Sequence, residues 1–267
     1  MIREITLGQY YPADSVLHRL DPRTKLFGAI VYIAALFLCT NWVGYALAVL
    51  CLAFFIILSK VPLGFMVKGL KSIAILLLIS VSFNLFLTKG EPIVSLGPVH
   101  ITKEGLKVAV FMAIRLTCLV MGTSLLTLTT TPNMLTDGME KGLGFLNKIG
   151  IPVHEISMMM SIALRFIPIL IEETDKIMKA QMARGANFEE GGLVKKAKGL
   201  IPLLVPLFIS AFRRATDLAT AMEARCYHGG EGRTKMKPLQ YKTRDYIAYA
   251  FIFAMLAAFI VIRTVKQ

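Results

Sequence analysis

Residues Trp42–Leu58 read WVGYALAVLCLAFFIIL, an unbroken apolar run without one charged side chain. A helix that crosses a bilayer needs about 20 mostly apolar residues, with roughly 17 to 25 tolerated. Lipid offers no hydrogen-bond partners, so such a run closes its backbone bonds within itself as an α-helix. The pattern recurs outward from this segment. Before it, Leu26 to Cys39 continues a helix that starts near Thr24, and Thr40-Asn41 makes a tight turn between the two. After it, spans are predicted at 72–87 and 106–130, and a last one from Tyr246 to Ile262. Trp42, Tyr45 and Tyr246 stand near span ends, where amphipathic rings prefer the headgroup level. The expected fold is an all-α integral membrane protein with about five transmembrane helices. Four of them (24–39, 42–58, 72–87 and 106–130) fill an N-terminal region 1–131, and the fifth lies in 245–267.

Composition agrees. The 267 residues are 55% hydrophobic and 18% charged, with a mean hydropathy of +0.64, whereas soluble domains carry about 25% charge. A net charge of +13 would point to nucleic acid in a soluble chain. The basic stretches here lack the aromatic interleaving that base stacking needs, so no nucleic-acid partner is expected. Lys and Arg are instead held on one side of the membrane. Arg19, Arg23 and Lys25 precede the first span, and Lys60, Lys68 and Lys71 lie between the second and third. The turn at Asn41 carries no positive charge, and the loop 88–105 carries only Lys89 and Lys103. This bias places the N-terminus and the 59–71 loop in the cytoplasm. Five spans then leave the C-terminus outside, although Arg263 and Lys266 run against the bias there. The chain reaches no apolar run before Leu26, so no cleavable signal peptide is expected.

The segment 132–244 differs. It holds 17 of the 30 Lys and Arg residues and 11 acidic ones, mixed with strongly apolar stretches. Amphipathic helices at the cytoplasmic membrane face satisfy both facts, and three are predicted, at about 132–147, 153–184 and 193–225. Pro132 and Pro152 favour helix starts. Val153 to Ile171 is apolar enough to resemble a span, but His154, Glu155 and Arg165 argue for an interfacial position, since charge is expensive in lipid. Gly191-Gly192 separates the second helix from the third.

The last two helices form a weak internal repeat. A shift of 41 residues superposes Ala180 on Ala221, Ala183 on Ala224 and Arg184 on Arg225. One Arg in a last helical turn is explained by the helix dipole. Two helices that end alike point to docking, because a guanidinium can grip a partner's carboxylate or helix-end carbonyls in a fork geometry that Lys cannot reproduce. Ala211, Ala215 and Ala219 would let the two helices approach closely.

Three stretches carry a wider resemblance: Asp21-Pro22-Arg23-Thr24-Lys25, the run from Gly150-Ile151-Pro152 through Ala163-Leu164-Arg165-Phe166-Ile167-Pro168, and Ala180-Gln181-Met182-Ala183-Arg184-Gly185. Over nearly its whole length the chain resembles the transmembrane T component of energy-coupling factor (ECF) transporters, importers of the ABC type. The resemblance implies that Ala183, Arg184, Gly185, Ala224, Arg225 and Cys226 dock two ABC ATPase subunits, identical or homologous. Cys226 stands where the second tip of the family has Gly. It further implies a membrane-embedded S component that binds a vitamin or other micronutrient, a prokaryotic plasma membrane, and ATP with Mg held by the partner ATPases.

The chain itself shows no cofactor site. No G-x-x-x-x-G-K-[ST] phosphate cradle occurs, and no Ser-His-Asp or H-E-x-x-H pattern, so it is expected not to be an enzyme. Cys39, Cys51, Cys118 and Cys226 form no C-x-x-C pair, and His18, His100, His154 and His228 lack ligand spacing, so no metal is assigned. The rival is a stand-alone secondary transporter with Arg115 and Asn84 in its path, since polar groups within spans mark pathways. Their alternative role is a structural hydrogen bond between helices.

Overall fold

The computed structural model describes residues 10–88, 91–96, 99–186, 192–230, 236 and 238–265. The first nine residues, Lys89, Gly191 and Lys266 lie outside these. Packing divides the chain into two compact units, one of residues 8–142 with 239–267, the other containing 143–238.

The first unit contains α1 (Pro22–Leu38), α2 (Trp42–Ser59), α3 (Leu63–Leu87), α4 (Lys103–Thr129), α5 (Pro132–Gly142) and α8 (Thr243–Val265). A short antiparallel hairpin, β1 (Pro92–Leu96) and β2 (Val99–Thr102), occupies the connection between α3 and α4, which reads as plain loop in the sequence. The helix α1 starts where it does because the Asp21 carboxylate accepts the Arg23 N–H at 2.9 Å and Pro22 occupies the first helical position, where its missing N–H costs nothing. Thr102 caps α4 in the same way, accepting from the Gly105 N–H at 3.0 Å. In α3 the part that carries Lys68 and Lys71 (Leu63–Lys71) is inclined 61° to the apolar part (Ile73–Leu87), so the helix turns where its composition changes from surface-seeking to lipid-compatible.

Small residues bring these helices together. Ala35 and Ala48 are fully buried, and a Cβ at Gly122 would stand 2.3 Å from Tyr32 Cε1, so α1 and α4 meet at a distance only glycine permits. The Tyr32 hydroxyl donates to the Cys118 carbonyl at 3.2 Å. From α8, Ile252, Met255 and Phe259 complete the core. The helix α5, assigned to the basic segment from sequence, packs on α1: a Cβ at Gly138 would stand 2.9 Å from Pro22 Cβ. Outward, Ile30, Leu50, Ile57, Ile75 and Leu78 are all exposed, the arrangement expected where the surrounding solvent is lipid.

The second unit contains a 3₁₀ turn (Gly144–Ile149), α6 (Val153–Ala183) and α7 (Leu193–Glu223). Gln181 of α6 donates to the Pro202 carbonyl of α7 at 3.4 Å, while Arg214 donates to Glu173 at 3.3 Å. Advance along α6 thus matches retreat along α7, and the pair is antiparallel.

Among the described residues, α2, α4, α6, the Gly199–Glu223 part of α7, and α8 are long and apolar enough to cross a membrane. The 17 residues of α1 fall at the lower limit, and the two parts of α3 together make a further bent candidate. The chain is an all-α, multi-pass integral membrane protein. The number of long apolar helices equals the five read from sequence, but their identities differ, because α6 and α7 join the set. His154 and Glu155 fall in the first turn of α6, so they tax its apolar stretch less than their presence in the sequence implies.

Candidate functional site: two helix tips and a membrane clasp

The helix α6 ends in a Schellman turn. The Gly185 N–H donates to the Met182 carbonyl and the Ala186 N–H to the Gln181 carbonyl, each at 3.0 Å, and Gly185 takes a left-handed φ of +87°. This pattern satisfies carbonyls that a helix end otherwise orphans. Forty-one residues later the same bonds recur. The Cys226 N–H donates to the Glu223 carbonyl at 2.8 Å and the Tyr227 N–H to the Met222 carbonyl at 3.0 Å. The Arg184 N–H to Gln181 and the Arg225 N–H to Met222 bonds, both 3.1 Å, superpose as well. Cys226 adopts φ +56°, so it supplies the left-handed turn that its neighbourhood requires although glycine is the residue suited to it.

Ala183, Arg184, Gly185, Ala224, Arg225 and Cys226 are all exposed. The repeat extends to the contact between the helices. The ion pair of Glu173 and Arg214 joins two residues that are equivalents under the 41-residue shift, which places it at the centre of a pseudo-two-fold crossing. Each Arg tip lies eleven residues beyond it (173 to 184, 214 to 225), about 16 Å at 1.5 Å per residue. The sequence brings out the matching tips; the ion pair at the centre escaped it, since neither Glu173 nor Arg214 stands out by composition.

The Asp21-Pro22-Arg23-Thr24-Lys25 stretch forms a clasp in the membrane unit. Arg23 grips Asp21 through two bonds of 3.0 and 2.9 Å and lies 3.9 Å above the Tyr241 ring. Asp245 accepts the backbone N–H of Asp21 and of Lys242, both at 2.8 Å. Burial acts to raise the Asp21 carboxyl, but the hydrogen bonds from Arg23 outweigh it and hold the group below the usual carboxylate range. Lys25 Nζ donates to the Thr129 carbonyl (2.8 Å), the Thr130 hydroxyl (3.2 Å) and the His18 carbonyl (3.3 Å), using all three donors of a buried ammonium. No local pattern in the sequence marks Asp245, which meets Asp21 across 224 positions.

The rival transport residues have structural partners. Arg115 donates to the Cys39 carbonyl at 3.0 Å and to the Tyr45 hydroxyl at 2.6 Å, which closes the end of α1 onto α2 and α4. Asn84 donates to the Ser80 carbonyl of its own helix at 2.8 Å.

Residues 13–236 match the cobalt transport protein family, CbiQ. The energy-coupling factor transporter transmembrane protein EcfT of Clostridium kluyveri is 55% identical over 93% of each chain. That of Thermosediminibacter oceani is 53% identical over 93% of this chain and 94% of its own. The Bacillus subtilis protein of the same description is 48% identical over 92% of this chain and 93% of its own. This chain belongs to that family. It is a transmembrane component of the ECF type of transporter, and the duplicated tips, the Asp21–Lys25 side of the clasp and the Pro168-containing α6 all lie within residues 13–236.

Proposed function

We propose that the chain is the coupling subunit of an ECF-type ABC importer. It transmits ATP hydrolysis by two cytoplasmic ATPase subunits to a membrane-embedded S component that binds a vitamin or other micronutrient. The nucleotide and its Mg belong to the ATPases; this subunit is non-catalytic. The duplicated tip carries the proposal. Two exposed arginines, each held by the same set of backbone bonds and each eleven residues from a central ion pair, fit two equivalent sockets, as a pair of identical or homologous ATPases would offer. Ala183 and Gly185 flank one arginine and Ala224 and Cys226 the other, so that no large side chain hinders its approach.

The N-terminus and the 132–244 segment face the cytoplasm of a prokaryotic cell in this scheme, in keeping with the excess of Lys and Arg in those connections. The apolar surface of α6 and α7 is left bare within the chain: Val153, Ser157 and Leu203 are buried there, while Met159, Phe208 and Phe212 are exposed. A surface of that kind marks a protein or membrane contact, and the S component is its proposed partner. The deciding experiment reconstitutes the complex in proteoliposomes with Arg184→Ala and Arg225→Ala combined. ATP-driven uptake is expected to be lost while the chain still inserts in the membrane; unchanged uptake would overturn the assignment of the tips.

A further inference from the structure

The first unit contains a half-open cavity of about 250 Å³ that shares Thr24, Lys25 and Thr129 with the clasp and takes no part in the tips. Its walls are the first turns of α1 and α8 and the last turns of α2 and α4, with Val16–Leu20 of the N-terminal segment at one end. Along α1 it extends from Thr24 to Tyr32, about 12 Å at 1.5 Å per residue. That is close to the roughly 15 Å depth of one leaflet's hydrocarbon.

The chemistry of the walls is uneven. Almost all of the lining is apolar, but Lys25 and Arg244 lie at the end where α1 and α8 begin, and no acidic residue lines the space. Lys25 is saturated by its three oxygen partners. Arg244 is half-buried and has no ion-pair partner among the described residues. Beside them the Thr24 hydroxyl, 1% exposed, makes no hydrogen bond. Thr24 stands in the first turn of α1, so no preceding helical turn offers it the carbonyl that Thr123 and Thr129 use at 2.9 and 2.8 Å. A cationic mouth, an unsatisfied buried hydroxyl and an apolar slot follow one another in the order of a phosphate, an ester carbonyl and an acyl chain.

We propose that this cavity binds one phospholipid from the leaflet in which α1 and α8 begin. Arg244 holds the phosphate, the Thr24 hydroxyl donates to an ester carbonyl, and one acyl chain lies between α1 and α8 toward Tyr32 and Met255. Water is a poor occupant of so apolar a space. A guanidinium in a half-buried site is a strong partner for a phosphate oxygen. The occupied lipid would link α8 to the helices that contact the clasp.

The test uses the full chain in nanodiscs with phosphatidylglycerol that carries a photoreactive acyl chain, followed by detergent exchange and native mass spectrometry. One retained lipid per chain is expected, with crosslinks concentrated in 24–32 and 244–255. Arg244→Gln is expected to lower retention about tenfold, as loss of a charge-assisted hydrogen bond implies. Thr24→Val is expected to lower it by less, and Ala248→Leu to exclude the chain by filling the slot. Arg244 lies at the mouth, so its substitution decides the matter even if Ala248→Leu fails to fold. Crosslinks spread evenly over the exposed faces of α2 and α3, with retention unchanged by Arg244→Gln, would mean annular lipid only and overturn the site. Equal retention of diacylglycerol, which lacks a phosphate, would overturn the role of Arg244.

Discussion

The second helix tip turns on Cys226. A left-handed backbone is open to glycine and disfavoured for other residues by roughly 1–2 kcal/mol, yet Cys226 holds φ +56° and forms the same bonds as the first tip around Gly185. Sequence alone could align Arg225 with Arg184, but cysteine carries no signal for a left-handed turn, so the identity of the two backbones was not legible. The stabilisation comes from the helix-end carbonyls that the turn satisfies. Cys226→Gly is therefore expected to retain or slightly raise ATP-driven uptake and recovery of the ATPase complex. Cys226→Val, a β-branched residue for which positive φ is an outlier, is expected to lower both several-fold. Equal behaviour of Gly and Val in pull-down and uptake would mean that the turn geometry is irrelevant to docking.

At the scale of elements, the sequence displayed most of the helices through apolar runs and breakers such as Asn41, Gly150 and Gly185. It did not display how α6 and α7 meet, because a contact between helices depends on which faces turn inward. Glu173 and Arg214 are 26% and 36% exposed as side chains and 3.3 Å apart, a partly screened pair that contributes about 0.5–1 kcal/mol. Its value lies in register, since it fixes equivalent positions of the two helices on each other and so keeps both tips the same distance from the crossing. Glu173→Gln and Arg214→Gln are each expected to reduce the uptake produced per ATP hydrolysed. The double variant should do no worse than the weaker single one. A double-mutant cycle in proteoliposomes measures the coupling, and strictly additive losses would remove the pair from the mechanism. The swapped chain, Glu173→Arg with Arg214→Glu, should recover part of the loss, whereas either reversal alone sets like charges together.

Taken whole, the molecule pairs a unit with an internal core and a unit whose apolar surface has little core of its own. The clasp shows why part of this is beyond local reading. Asp21 and Asp245 meet across 224 positions of sequence, so the role of the Asp21-Pro22-Arg23-Thr24-Lys25 stretch emerges only once α8 returns to α1. The membrane unit buries Tyr45, Leu36, Met66 and Leu128 almost completely, while only 6% of the apolar window is buried in each of α6 and α7. Backbone amides open most readily where few apolar contacts oppose opening. Hydrogen exchange on the full chain in detergent is therefore expected to be fast over 156–160 and 200–212 and slow over 31–36, 45–52 and 252–259. Addition of the ATPases and an S component should slow the first two segments at least tenfold and leave the others unchanged. The same slowing on transfer to nanodiscs without any partner would put lipid, and not protein, against α6 and α7. These two helices would then be membrane spans in their own right, and the docking surface proposed for the S component would have to lie elsewhere.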